Sequence, residues 1–291
     1  MKVFAFLGLL LLCPRAGFTQ TPAPAPVPPA APKSQVGQST YEEIESVWSL
    51  SAFYWKTQGA DNLLAGGARS TDPPAQTSAL IGKPKYAPGA ILTVPTGHSN
   101  RLEFQVWQAQ SRGSFKATRA YTFFAESFRK EDLLVTETRV RNAKMTWNYL
   151  SLPYPALDSK FRVKTLWEFQ YVQVNPTITA PLTATVAVGA TPASPAKRVA
   201  GKRTLLMPTL GLAMEWVPSS KHFRVDARGT AMSFRSKGNI WDLEGNATLR
   251  LWNLEVFGGA KMFHYRTTKN NEQYLEGNLW GPVAGVRWVF R

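Results

Sequence analysis

Residues 222–234 alternate between two kinds of side chain. One set is apolar or small: Phe223, Val225, Ala227, Gly229, Ala231 and Ser233. The residues between them include Arg224, Asp226 and Arg228. Successive side chains of a β-strand point to opposite faces of a sheet, so the pattern predicts a strand with one apolar and one charged face. The alternation alone does not show which face meets water.

The same period of two recurs along the chain and predicts an all-β protein with ten strands. The other predicted strands are 46–57, 88–95, 101–110, 133–151, 160–174, 204–217, 240–251, 253–266 and 275–290. Eight or twelve strands stay open, because 117–127 fits either a further strand or a hairpin within a loop. Segment 133–151 changes its polar face near Asn142, where we expect a β-bulge. No run of 18 apolar residues follows the N-terminal segment, so we predict no transmembrane helix.

The connections between these strands alternate in length. The first, third and fifth are long, at 58–87, 111–132 and 175–203. The intervening connections are short, for example PTGHSN at 95–100 and PSSK at 218–221. Long and short connections therefore gather at opposite ends of the strands. This asymmetry is typical of transmembrane β-barrels, which have short periplasmic turns and longer external loops.

Strand length and the placement of aromatic residues favour a membrane barrel over a soluble sandwich. The predicted strands run to about 10–15 residues, whereas soluble strands are most often about 5–6 and a spanning strand needs about 9–11. Aromatic side chains near strand ends predict belts at the membrane interfaces. The predicted interfacial residues are Trp55, Trp147, Trp216, Trp252, Trp288 and Phe290.

In a membrane barrel the apolar face meets lipid and the charged face lines the interior. An Arg or Lys on the lipid face would cost about 2–4 kcal/mol at the bilayer midplane, so the charges fix the register. The predicted lumen residues are Arg162, Lys164, Glu168, Glu215, Arg224, Asp226, Arg228, Asp242, Glu244 and Arg250. Because they carry both signs, we expect them to form cross-strand ion pairs.

The N-terminus predicts export. Lys2 precedes an apolar run from Val3 to Leu12, so residues 1–20 read as a secretory signal peptide. Residues 21–44 form a Pro/Ala-rich periplasmic leader, and 45–291 form the predicted barrel. Cys13 is the only cysteine, so the mature chain has no disulfide, as fits a bacterial envelope protein.

The net charge of +15 predicts partners that carry phosphate. Export argues against nucleic acid and favours outer-membrane lipid and lipopolysaccharide. The fifth connection contains Lys197, Arg198, Lys202 and Arg203, which fit lipopolysaccharide phosphates or a solvated loop equally well.

The chain ends in GPVAGVRWVF at 281–290, followed by Arg291. The alternation of Trp288 and Phe290 resembles the aromatic-terminated last strand of bacterial outer-membrane β-barrels. With the signal peptide and the rhythm of long and short connections, the chain resembles a small porin-like or OmpA-like barrel. That resemblance implies an antiparallel up-and-down barrel in the bacterial outer membrane, inserted by the barrel-assembly machinery.

Candidate chemistry is sparse. The three histidines, His98, His222 and His264, have no ligand spacing to one another or to an acidic pair, so we predict no metal and no cofactor. We therefore expect a non-enzymatic barrel, either a small channel that passes small solutes or a structural or adhesive envelope protein. Two alternatives stay open. One is a barrel enzyme acting on lipid A or phospholipid through His264 and a loop serine, and the other is a soluble periplasmic sandwich or lipocalin-like binder.

Overall fold

A computed structural model describes residues 47–65, 86–97, 100–117, 120–123, 126–152, 160–181, 196–218, 222–234, 237–268 and 273–290. The predicted signal peptide (1–20) and leader (21–44) lie outside these residues. The described residues form fourteen strands. They are β1 (Ser49–Trp55), β2 (Gln58–Ala65), β3 (Ala87–Pro95), β4 (Asn100–Lys116), β5 (Tyr121–Phe123), β6 (Glu126–Phe128), β7 (Leu133–Leu152), β8 (Phe161–Ala180), β9 (Lys197–Ala200), β10 (Arg203–Trp216), β11 (Phe223–Phe234), β12 (Gly238–Leu251), β13 (Leu254–Thr267) and β14 (Gln273–Val289). None of these segments is a helix of the length and apolarity needed to cross a membrane.

Twelve of the strands form one antiparallel sheet that closes on itself. β1 pairs with both β3 and β14, so the sheet has no free edge there. β1 and β2 both pair with β14 and occupy one position in the ring, as β9 and β10 do against β8. The sheet is therefore a ring of ten strand positions, and the predicted ten-stranded antiparallel barrel is confirmed.

A local kink separates β1 from β2. Lys56 donates its backbone N–H to the carbonyl of Pro282 at 2.9 Å, opposite Gly281 on β14. Gly281 has φ 151°, and a Cβ there would lie 2.1 Å from the Lys56 carbonyl oxygen. The close approach of the two backbones therefore requires glycine.

Several strands extend well into connections that we predicted as loops. We call the end with the short connections the turn end and the opposite end the loop end. β4 continues to Lys116 and β8 to Ala180, so the barrel wall rises at the loop end along β4, β7 and β8. In the third connection β5 and β6 pair as a separate hairpin, which is one of the two structures expected for 117–127.

The exterior carries an apolar band of bilayer height. On β8 the outward residues from Phe161 to Tyr171 are mostly large and apolar, and Trp167 and Phe169 are each 57% exposed. Ten residue steps of a strand tilted by about 40° rise roughly 25 Å, the height of the apolar band of outer-membrane barrels. Exposed aromatic side chains surround the barrel at the turn end of this band: Trp48, Trp147, Tyr149, Phe161, Trp216, Trp252, Trp288 and Phe290.

Two expectations about individual residues are wrong. β7 pairs with β4 and β8 without a register shift near Asn142, so there is no bulge at that position. Without a bulge, Glu137, Arg139 and Arg141 share the outer face with Trp147. Charged side chains are tolerated on that face because this part of the strand lies beyond the apolar band. Trp55 is not interfacial but fully buried, because it shares the inward parity of Ser51 and Phe53.

The boundary of the apolar band is testable on β8. Phe169 and Thr177 have the same outward parity, but Phe169 lies within the band and Thr177 lies beyond it. We expect Phe169→Arg to lower the free energy of unfolding by about 2–4 kcal/mol, because it places a charge in lipid. We expect Thr177→Arg to change it by less than about 0.5 kcal/mol. Urea unfolding from phospholipid vesicles measures both, and equal costs would contradict the assignment of the band.

Candidate functional site

A network of ion pairs fills the turn-end half and the middle of the barrel. It links seven carboxylates to seven cations on β4, β7, β8 and β10–β14. The acidic members are Glu103, Glu168, Glu215, Asp226, Asp242, Glu244 and Glu255, and the basic members are Arg101, Lys144, Lys164, Arg224, Arg228, Lys261 and Arg287. These charges balance, so the net charge of +15 lies elsewhere on the chain.

The most buried part of the network centres on Asp242. Its two carboxylate oxygens each accept a hydrogen bond of 2.7 Å, one from Lys144 Nζ and one from Lys261 Nζ. Lys261 Nζ also lies 3.0 Å from Glu244 Oε2. Because Lys144 is on β7 and Asp242 on β12, this contact spans the lumen and joins two distant walls.

Glu168 lies beside this cluster and is satisfied mainly by hydroxyl groups. It accepts hydrogen bonds from Thr146, Thr209 and Thr230 at 2.9, 3.0 and 2.7 Å. Lys144 Nζ is 3.5 Å away. Several donors around one buried carboxylate replace the water that the group loses on burial.

A second branch runs across the lumen from β4. Arg228 donates to Glu103 and to Glu244, each at 2.9 Å, and so connects this branch to the first. Arg101 lies 2.9 Å from Glu103 and 3.3 Å from Glu215. Lys164 completes the shell of Glu215 at 3.1 Å.

A third branch lies closest to the seam where β14 meets β1. Glu255 accepts from Arg287 at 3.0 Å and from Arg224 at 3.4 Å. Arg287 Nε also donates to Ser51 Oγ on β1 at 3.1 Å. The network thus reaches across the strands that close the barrel.

The space left among these side chains is small. A cavity of about 30 Å³ lies between Arg101, Glu103, Arg224 and Arg228. Asn148 and Asn246 also border it, and Nδ2 of the first and Oδ1 of the second have no hydrogen-bond partner among the described residues. Such a volume holds about one or two water molecules and no larger solute.

The interior changes character toward the loop end, where it is apolar. Trp107 makes edge-to-face contacts with Trp55 and Phe263, with ring centroids 5.3 and 5.0 Å apart. Above them Val140 and Val174 face inward from the raised wall. Lys261 Nζ lies 5.9 Å from the Trp55 ring centroid, so the two halves of the interior are in contact.

The β5–β6 hairpin belongs to this apolar part. Phe123 and Phe128 are almost fully buried in the apolar core, with their ring centroids 5.9 Å apart. Lys197 on β9 donates to the Ser127 carbonyl at 2.9 Å. The hairpin therefore packs into the barrel and does not extend freely from it.

All ten residues predicted for the lumen point inward from their strands. Eight of them are buried, and Asp226 and Arg228 are partly buried. Arg250 donates from Nε to the Trp252 carbonyl at 3.3 Å. Of the predicted interfacial aromatic residues, Trp147, Trp216, Trp252, Trp288 and Phe290 are exposed.

Sequence reasoning missed four of the network's seven cations and two of its seven carboxylates. Lys144 alternates with the outward residues Met145 and Trp147, so its parity was a usable signal for the lumen face. Lys261 and Arg287 lie on strands whose inward face also carries Phe257, Phe263 and Val283, so neither face reads as polar. The alternation of Arg101 and Glu103 with Leu102 and Phe104 was a usable signal.

The described histidines lie away from the lumen. His264 faces outward, with its ring centroid 6.1 Å from that of Trp241 and Nε2 3.8 Å from Glu276 Oε1. His222 lies at the turn before β11, and His98 lies outside the described residues. No group of three His, Cys, Asp or Glu side chains in the described part of the chain is arranged to hold a metal ion.

No protein-family model and no curated protein matches the chain. Among solved structures, the barrel is similar to the outer-membrane protease OmpT of Escherichia coli. That alignment has a TM-score of 0.52 and 10% identity over 84% of this chain and 97% of OmpT. The toluene transporter TodX of Pseudomonas putida aligns with a TM-score of 0.36 and 7% identity over 84% of this chain and 90% of its own. A Pseudomonas aeruginosa FadL homologue gives 0.30 and 9% over the same shares.

At such identities the likeness to OmpT shows a shared fold and carries no activity, and scores of 0.36 and 0.30 support no argument. The closed ring, the apolar exterior and this fold define the class. The chain is a transmembrane β-barrel of the kind found in the bacterial outer membrane.

The dependence on buried ion pairs can be measured with two lysines. Lys261 is fully buried between Asp242 and Glu244, whereas Lys116 pairs with Glu131 where both side chains are more than half exposed. We expect Lys261→Met to lower the free energy of unfolding by about 3–5 kcal/mol, because it leaves buried carboxylates short of a partner. Lys116→Met should cost less than about 1 kcal/mol. Denaturant unfolding in detergent micelles compares them, and a loss below about 1 kcal/mol for Lys261→Met would contradict this role.

Proposed function

We propose that this protein is a closed, non-enzymatic outer-membrane barrel that acts as a structural scaffold of the envelope and not as a diffusion channel. The observation that carries the proposal is the filled interior. Ion pairs cross the lumen from β4 to β10 and β11 and from β7 to β12, and the cavity that they border beside Arg228 is only about 30 Å³.

Two further layers support closure. The apolar cluster around Trp55, Trp107 and Phe263 fills the interior above the ion pairs. The buried rings of the β5–β6 hairpin add to this cluster. A solute crossing the barrel would have to displace both an apolar core and a network of charges.

The proposal also assigns an orientation. The loop end, with its long connections and raised wall, faces the cell exterior, and the turn end faces the periplasm. In this orientation the scaffold presents β4, β7 and β8 beyond the outer surface of the bilayer. A structural or adhesive role uses this projecting wall and needs no path through the lumen.

Single-channel recording tests closure. We expect the protein, inserted into a planar lipid bilayer, to give no stepwise conductance above the baseline. Insertion is verified on the same sample by the gel shift between unboiled and boiled protein. Regular conductance steps of the unaltered protein would overturn the proposal in favour of a channel.

A variant that lacks the hairpin separates the layers of the seal. In it a short Gly-Ser link replaces residues from Tyr121 to Phe128. We expect this variant to stay non-conducting as well, because the ion pairs lie deeper than the hairpin. If the variant conducts while the intact protein does not, the hairpin and not the network closes the lumen.

A further inference from the structure

The outer surface of the raised wall changes from apolar to polar between two successive outward rows, which are two residues apart along each strand. One row across the paired strands consists of Ala90, Val106, Ala143 and Tyr171. The next outward row toward the loop end consists of Gln108, Arg141 and Gln173, and the row beyond it of Gln110, Arg139 and Asn175. The step marks the level at which the wall leaves the hydrocarbon and meets lipid headgroups.

An open groove of about 610 Å³ lies at this boundary. Its apolar part is formed by small residues, among them Ala90 and Ala143, with Val106 and Tyr171 beside them. Its polar end is formed by Gln108, Arg141 and Gln173. The groove thus offers an apolar channel for a hydrocarbon chain and a cationic, amide-lined end for a headgroup.

The cation at the polar end is held in place. Arg141 donates from Nε to Gln108 Oε1 at 2.8 Å, which fixes the guanidinium plane on the outer face. Gln173 is fixed in turn, since it accepts from the Tyr171 hydroxyl at 3.2 Å and donates to Asn175 at 3.1 Å. A guanidinium group presented in this way matches the paired oxygen atoms of a phosphate.

Arg139 lies one outward position further along β7. Glu137 is 3.8 Å from Arg139 and accepts a hydrogen bond from Gln110 at 2.6 Å. Arg112 is exposed at the position opposite Glu137 on β4. Three arginines and one carboxylate therefore leave this part of the described surface positively charged.

We propose that this face of β4, β7 and β8 binds lipopolysaccharide. One acyl chain occupies the groove beside Ala143, and a phosphate of the lipid headgroup contacts Arg141 and Arg139. The inference rests on the orientation given under the proposed function, because lipopolysaccharide lies in the outer leaflet. It does not depend on whether the lumen is closed.

The test is a titration of the detergent-solubilised, folded barrel with purified lipopolysaccharide, measured by native mass spectrometry. The same lipid after chemical removal of its phosphates is the paired ligand. We expect the double variant Arg139→Gln/Arg141→Gln to bind lipopolysaccharide about 25-fold more weakly, since each arginine near an anionic headgroup contributes about fivefold. The dephosphorylated lipid should bind the variant and the unaltered protein equally.

Two further variants complete the design. Arg266→Gln removes an outward arginine on β13, away from the groove, and should leave the affinity unchanged within about twofold. Ala143→Leu fills the groove without changing its charge and should weaken both lipids. The gel shift between unboiled and boiled protein confirms that each variant is folded.

Equal affinity of the unaltered protein for the two forms of the lipid would overturn the proposal. So would an equal loss in Arg266→Gln, or displacement of lipopolysaccharide by an equal amount of phosphatidylglycerol. Conductance by the unaltered protein would refute closure but leave this titration interpretable, so the two proposals fail separately.

Discussion

The ion pairs that link opposite walls of the barrel are the interaction on which the rest of the structure depends. A buried charge without a partner costs several kcal/mol, so the lumen charges are tolerable only as a connected set. Lys144 and Asp242 meet 2.7 Å apart although they lie 98 residues apart in sequence. Such contacts form only when the barrel has closed in one register, so the network favours that register over its alternatives.

The lipid outside the barrel imposes the complementary constraint. A slip of one residue in any strand would move its charged side chains from the lumen to the apolar exterior. On β12 this slip would expose Asp242 and Glu244 to lipid and turn Trp241 and Leu243 inward. The cost of a charge in lipid and the ion pairs in the lumen therefore place the charged side chains on the same face. For this reason the sequence of β12 alternates clearly between apolar and charged residues.

The two environments exchange places along β7. Within the bilayer Met145 and Trp147 face outward and Lys144 faces inward, whereas beyond it Arg139 and Arg141 face outward and Val140 faces inward. The strand does this without a bulge, because it leaves the membrane and continues as the wall of an ordinary water-facing sheet. The same transition creates the polar end of the outer groove beside Arg141.

Whether the sequence predicts the faces of a strand correctly depends on whether lipid, water or both surround that strand. Strands with a single outer medium, such as β11 and β12, were assigned correctly to faces, and the number of barrel strands followed from their spacing. β7 was misread, because its outer face passes from lipid to water and its unbroken period of two then looks like a change of face near Asn142. Trp55 was misplaced for a related reason: an aromatic residue at a strand end fits an interfacial belt, but here it fills the apolar half of the interior. The partners of Asp242 depend on the cross-lumen geometry, which no local pattern contains.

The most direct test of the account is the reactivity of a single cysteine placed inside the barrel. Thr230 is buried in the lumen beside Glu168, and neighbouring Ala231 is exposed on the outer face. In vesicles, we expect that Thr230→Cys does not react with a small water-soluble maleimide until the protein is denatured. Ala231→Cys should react with a lipid-soluble reagent in the folded state. Rapid labelling of Thr230→Cys by the water-soluble reagent in the folded barrel would contradict a lumen closed by its own ion pairs.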